Sequence, residues 1–213
     1  MSDSESYSSR IRAVIPIIEE KNSKREFLIK RSRDIMALIR KTINYIHMDR
    51  LDQAESLLNE IKESISQLIE KIKDFPPLLY SATMNNILQE YVEALSYYRI
   101  IRKGDIPPYD ECLLTDIAQY VMGLADVIGE LRRRVLECIR REEIKDAERL
   151  FNIMESLYLS LMEVVHYDVV IPGIRRKCDV ARILVENTRS ELIEAKLSMN
   201  VIEHIRKMMT KSR

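Results

Sequence analysis

Tryptophan is absent from this chain of 213 residues, and glycine (4), proline (6) and cysteine (3) are scarce. Each shortage excludes something. So few glycines leave no glycine-rich phosphate loop and no serine-centred glycine turn, so nucleophilic catalysis of the hydrolase kind has no foothold. Cys112, Cys138 and Cys178 are odd in number and far apart. That argues against a disulfide framework or a zinc cluster and for a reducing compartment. No apolar run reaches membrane length, and the polar start Met1-Ser-Asp-Ser-Glu-Ser-Tyr-Ser-Ser9 is no signal peptide. A soluble, cytoplasmic protein is expected, with no membrane partner.

Strand-like alternation is also lacking. What remains is 46% hydrophobic and 32% charged residues, a composition that reads as long helices with a core of Ile, Leu, Val and Met. A single all-α domain over residues 1–213 is expected, an antiparallel bundle of about six to seven long helices behind a polar, flexible lead of residues 1–8. Pro16 should kink or end a first short helix near 6–20. A longer helix should run from about Ser23 to His47, and Asp49 is placed to cap the next, which ends before Asp74-Phe-Pro-Pro77. A fourth reaches about Lys103 and stops at the Gly104-Asp-Ile-Pro-Pro108 turn. The fifth is expected from about Asp110 to Arg141, the sixth from Glu143 to His166. Ile171-Pro-Gly173 breaks the pattern before a last helix to about Met208. One internal echo stands out: Arg40-Lys41, Ile43, Ile46, Leu51, Ala54-Glu55 and Leu57-Leu58-Asn59 find partners in Arg133-Arg134, Leu136, Ile139, Ile144, Ala147-Glu148 and Leu150-Phe151-Asn152. Two similar bundle corners account for it better than a repeat array.

Charge balances overall, 34 basic against 34 acidic residues, but it is segregated along the chain. From Gly104 to Leu131 there is no Lys or Arg at all, whereas 24–41 and 132–141 are strongly basic. Glu90 and Glu93, and Asp126 and Glu130, lie in apolar helical stretches at spacings that put each pair on one face. Like charges ~5 Å apart repel by about 3 kcal/mol at an effective dielectric near 20. Spacing by itself means little, since Glu60/Glu63 and Glu191/Glu194 share it and solvated acidic faces are common. Context distinguishes the two pairs: Glu90, Glu93 and Asp126 have no Lys or Arg three or four positions away, and only Glu130 does, in Arg133 and Arg134. Two such pairs meeting in a bundle call for protons, a cation or separation by solvent; unpaired acids on an apolar surface are costly unless a cation awaits them, and four neutral carboxyls at once are not expected. An all-oxygen set without His or Cys suits a hard ion, Mg2+ or Mn2+. A di-iron bundle competes through Glu163-Val-Val-His166, yet neither His47 nor His204 supplies the second Glu-x-x-His that such sites need.

Lys24, Arg25, Lys30, Arg31, Arg33, Arg40 and Lys41 crowd one expected helix. A solvated face is the ordinary explanation. Beside a metal-competent acidic site, the same cations become a phosphate track.

These residues also resemble a known family. Gln89-Glu-Tyr-Val-Glu-Ala94 with Gly123-Leu-Ala-Asp-Val-Ile-Gly-Glu-Leu131 is similar to the translin family, and within it to subunits of the translin-associated factor X (TRAX) type. Lys30-Arg-Ser-Arg-Asp-Ile35, Arg40-Lys-Thr-Ile43 and His47 resemble that family's basic helix, with weaker similarity through Asp179-Val-Ala-Arg182. The resemblance runs from about residue 24 to 195. It implies a helical subunit of a hollow octamer that encloses RNA or single-stranded DNA. It implies that Glu90, Glu93, Asp126 and Glu130 hold Mg2+ for RNA cleavage, and that Lys30, Arg33, Arg40 and Lys41 bind the strand. Translin-type subunits lack the acidic set and mainly bind nucleic acid. The short Gly104–Tyr109 connection, where TRAX-type proteins can carry a long insertion, fits a homo-oligomer of the archaeal kind.

Overall fold

Ala54, Leu58, Ile61, Ile65, Leu68 and Ile72 recur every three to four residues, and all six are buried on one stripe of helix α2 (Leu51–Ile72). The same logic builds the other long helices of the structure, a computed structural model that describes residues 3–113 and 115–211. They are α1 (Asp3–His47), α4 (Ala82–Lys103), α5 (Ile117–Arg140), α6 (Ile144–Met162) and α7 (Ile174–Lys211), with a four-residue α3 (Pro76–Leu79) between α2 and α4. Among the described residues there is no β-strand. The expected all-α bundle of six to seven helices is therefore what forms. Helices α4 and α5 are its centre: α4 packs on α1, α2 and α5, while α5 packs on α4, α6 and α7.

Several boundaries differ from the sequence reading, each for a local reason. Pro16 lies inside a continuous α1. Proline removes one helical N–H and usually breaks an interior helix, at a cost of about 3 kcal/mol. Here residues 7–23 are exposed throughout, so water can take the carbonyl that Pro16 leaves unpaired. The lead expected at 1–8 is helical from Asp3, and residues 1 and 2 lie outside the described part. Helix α5 starts at Ile117 rather than near Asp110, after a single 3-10 turn at Tyr109–Glu111. Its start is a capping box: Ala118 N–H donates to Asp116 Oδ1 at 2.7 Å, and Asp116 N–H donates to Gln119 Oε1 at 3.3 Å. Buried Gln119 also donates to Asn85 Oδ1 at 2.8 Å, which ties the start of α5 to α4. Helix α6 stops at Met162, and His166 sits in a 3-10 turn (Val165–Tyr167) with its ring against Tyr167.

Asp49 does not cap α2. Arg50 is the N-cap residue, without a side-chain cap, and Asp49 takes the left-handed conformation (φ 58°) and pairs with Arg134 of α5. Glu142 takes the same left-handed conformation at the α5–α6 corner (φ 62°). The hydrogen bonds match as well: Arg50 N–H to Tyr45 O and Glu143 N–H to Cys138 O are both 2.9 Å. Ala54 and Ala147, fully buried, let the second helix of each corner approach the first. The echo in the sequence is one corner used twice.

Candidate functional site

Glycine at 123 is what brings α4 and α5 together. A Cβ there would lie 2.6 Å from Gln89 O and 2.8 Å from Val92 Cβ, closer than any side chain is tolerated. One helical turn after Gly123 comes Asp126, and one turn after Gln89 comes Glu93, so the tightest contact of the two helices sits beside the acids. Both carboxylate pairs then line one cleft of about 630 Å³. Its other walls are Arg40, Ile43 and Asn44 of α1, Gln89, Arg133 and, from α7, Lys177. The two acidic pairs expected from sequence are one site. Glu60 and Glu63, with the same spacing, are exposed on α2, and Glu191 forms a two-bond fork with Arg132 (2.8 and 2.9 Å).

The four acids differ in their surroundings. Glu93 is 9% exposed, and burial, reinforced by Asp126, Glu90 and Glu130, pushes its carboxyl up to about 8. Glu90 is raised in the same way, first by burial and then by Asp126, with Lys177 and Arg40 acting against the shift. Among the described residues neither has an ion-pair partner. Asp126 does: Lys177 Nζ contacts its Oδ1, and Gln89 Nε2 donates to its Oδ2 at 2.7 Å. Glu130 Oε2 lies 2.5 Å from His47 Nε2 and 4.0 Å from Arg133 Nη1. The far nitrogen of that imidazole, Nδ1, is 3.1 Å from the hydroxyl of buried Tyr97. Burial keeps the Tyr97 hydroxyl protonated, so it can donate to Nδ1 and leave Nε2–H to donate to Glu130. Arg134 holds the His47 carbonyl at 3.1 Å, which fixes the end of α1 against α5.

An all-oxygen donor set whose most buried member is pushed toward its protonated form fits a hard divalent cation, which would offset the repulsion among the carboxylates. Among the described residues no three His, Cys, Asp or Glu side chains converge tightly enough to hold a metal ion as they stand. That includes the di-iron alternative at Glu163 and His166. Lys177 and His47 each engage one carboxylate of α5.

The expected cations are divided. Arg40 reaches the cleft, and Lys30, Arg33 and Lys41 are exposed on α1. At 3.6 residues per turn these four fall within an arc of about 100°, so the basic face of α1 leads into the acidic cleft at Arg40. Of the basic residues flanking the acids in sequence, only Arg133 lines the cleft. Arg99 pairs with Asp105 and Glu111, Arg102 with Asp52, Arg132 with Glu191 and Arg134 with Asp49. The sequence reading missed Lys177, Asn44 and the bridging role of Gln89, and gave His47 no task. Only His47 carried a signal, as the last residue of the basic helix.

Comparison with known proteins agrees with this architecture. The model of the translin family matches residues 23–188. An uncharacterized protein of Methanocaldococcus jannaschii is 37% identical over 197 residues, covering 92% of this chain and 86% of that protein. Translin-associated protein X of Rattus norvegicus is 23% identical over 180 residues, and the chain spans 62% of its length. Among solved structures, AfC3PO in complex with duplex RNA superposes with a TM-score of 0.81 at 31% identity, covering 89% of this chain and 97% of that one. Apo-NeC3PO, at 24% identity and a TM-score of 0.78, shares the fold.

Proposed function

Because the chain belongs to the translin family, we propose that it is a Mg2+-dependent endoribonuclease of the TRAX type. The observation that carries this reading is Glu93, a buried carboxyl pushed up to about 8 in a cleft it shares with Glu90, Asp126 and Glu130. Those four would hold Mg2+ or Mn2+, which when bound supplies Lewis acidity for phosphodiester cleavage. Arg40 and Arg133 at the cleft, and Lys30, Arg33 and Lys41 along α1, would hold the strand by its phosphates. RNA as the ligand is supported by the likeness to AfC3PO, whose structure contains duplex RNA; single-stranded DNA is a second candidate ligand.

A homo-oligomeric shell, an octamer by resemblance, belongs to the same proposal. Tyr7, Ile11, Ile15 and Ile18 form an exposed apolar stripe on α1, and Ile193, Leu197, Val201 and Ile205 form another on α7. Stripes of this kind call for a partner, and a second copy of the chain is the partner proposed. No helix among the described residues is long and apolar enough to cross a membrane. Three free, buried cysteines suit the reducing cytoplasm, the compartment proposed.

The pairing of Asp126 with Lys177 and of Glu130 with His47 favours a second reading, a nucleic-acid binder without turnover. Purified protein incubated with RNA and Mg2+ or Mn2+ separates the two. The nuclease cleaves, and Glu93→Gln or Asp126→Ala lowers the rate on the order of a hundredfold or more while RNA retention survives. A wild-type protein that retains RNA and never cuts it is the binder.

A further inference from the structure

Lys177 enters the cleft from an element that the acids' own helices do not contain. Asp168 Oδ1 accepts from Gly173 N–H (3.2 Å) and Arg175 N–H (3.1 Å), which starts α7 where its first turn crosses α5. The Lys177 ammonium donates to Met122 O at 3.3 Å and to Asp126 Oδ1. Among the described residues it is the one ammonium group lining the acidic cleft, and its field reaches both Glu90 and Glu93. The Lys177–Asp126 pair also borders a second groove of about 480 Å³ between α5 and α7, walled by Met122, Ala125, Val180 and Leu184 with Arg176 beside them. The pair therefore stands between the two hollows.

Charge explains why the ammonium would leave Asp126. A single ammonium answers at most one of the cleft's carboxylates, and a divalent cation that recruits Asp126 has to compete with it directly. Lysine is suited to such an exchange, being a point charge on a flexible four-carbon stem that can swing without moving its helix. We propose that Lys177 is a placeholder cation and positioning residue: it holds Asp126 in the metal-free chain, and is handed to a phosphate of the bound strand when a divalent ion takes Asp126. The proposal rests on the metal-nuclease reading given above.

Three measurements on the 213-residue chain test it: Mn2+ affinity by electron paramagnetic resonance, melting without metal and the salt dependence of RNA binding. Lys177→Met keeps the aliphatic stem and removes the competitor, so Mn2+ should bind on the order of tenfold tighter, the scale of a partly buried ion pair. The metal-free variant should melt at a lower temperature than wild type, since Asp126 loses its partner. Lys177→Arg keeps the charge and should bind Mn2+ no tighter than wild type. With Ca2+ as the bound ion, Lys177→Met should reduce the slope of log affinity against log salt by about 1, and in chelator it should leave the slope unchanged. A Lys177→Met affinity for Mn2+ equal to or weaker than wild type overturns the proposal, as does an unchanged slope with Ca2+. A wild-type protein that takes up no Mn2+ overturns the metal-nuclease reading and this inference with it.

Discussion

At Glu93, burial and three neighbouring carboxylates act in one direction, and the folded chain keeps its proton to about pH 8. Unfolding returns the group to its ordinary value of 4.5. Between those values the folded state binds more protons than the unfolded one, so the stability of the metal-free protein falls as pH rises through this window. Glu90 is shifted in the same sense and adds to the slope. A divalent cation in the cleft would make the ionised forms welcome and flatten the dependence. Melting temperatures from pH 5 to 9 should therefore fall without Mg2+ and stay nearly level with it. Glu93→Gln should lose most of the metal-free slope and be the more stable protein at pH 8 and above, while failing to respond to Mg2+. A wild-type melting temperature that stays level from pH 5 to 9 without Mg2+ would mean that Glu93 is solvated rather than buried.

At the level of elements, the α4–α5 crossing is the contact on which the site depends. Gly123→Ala would drive a methyl group against Gln89 O and Val92 Cβ. The first is backbone, and Val92 is itself buried, so neither can move aside cheaply. Overpacking of this kind costs typically about 1–3 kcal/mol. A drop in melting temperature should come with a loss of Mn2+ affinity, because the same displacement separates Glu93 from Asp126. Gly129→Ala is the control: on the same helix a Cβ meets nothing within 4 Å, and the variant should keep its metal affinity. Helix identities were legible because apolar spacing is a local property, as the α2 stripe and the doubled corner illustrate. Some boundaries were legible as well, where a turn signal follows the helix. Gly104, left-handed (φ 79°) with its N–H on Ile100 O at 2.9 Å, ends α4 where the turn signal lies. Asp116-x-x-Gln119 was an available capping box that the apolar run before it concealed, and the start of α5 was therefore placed too early. Pro16 misled in the other direction: proline weakens a helix interior without always ending it, and here water can serve the freed carbonyl.

For the whole molecule, the exposed stripes at the outer ends of α1 and α7 carry the prediction. Ile15→Asp and Leu197→Asp place charges on exposed apolar faces of α1 and α7. Both variants should fold with unchanged helicity and sediment as smaller species than wild type. Their affinity for a long RNA should fall, because fewer basic faces are then linked in one particle. An unchanged particle size would place the subunit contacts elsewhere.

Sequence by itself determined the helices, the two acidic pairs and the lack of any cation beside three of the four acids on their own helices. Those are properties of residues within about four positions of one another, and helical periodicity reads them directly. Only the tertiary structure decided that the pairs share a cleft, that Glu93 is buried enough to be driven toward its protonated form, and that the chain brings partners of its own to Asp126 and Glu130. Lys177 lies 51 residues from Asp126 and His47 lies 83 from Glu130. A charge environment is a sum over everything near in space, whatever its distance along the chain, and no pattern within a single helix contains that sum.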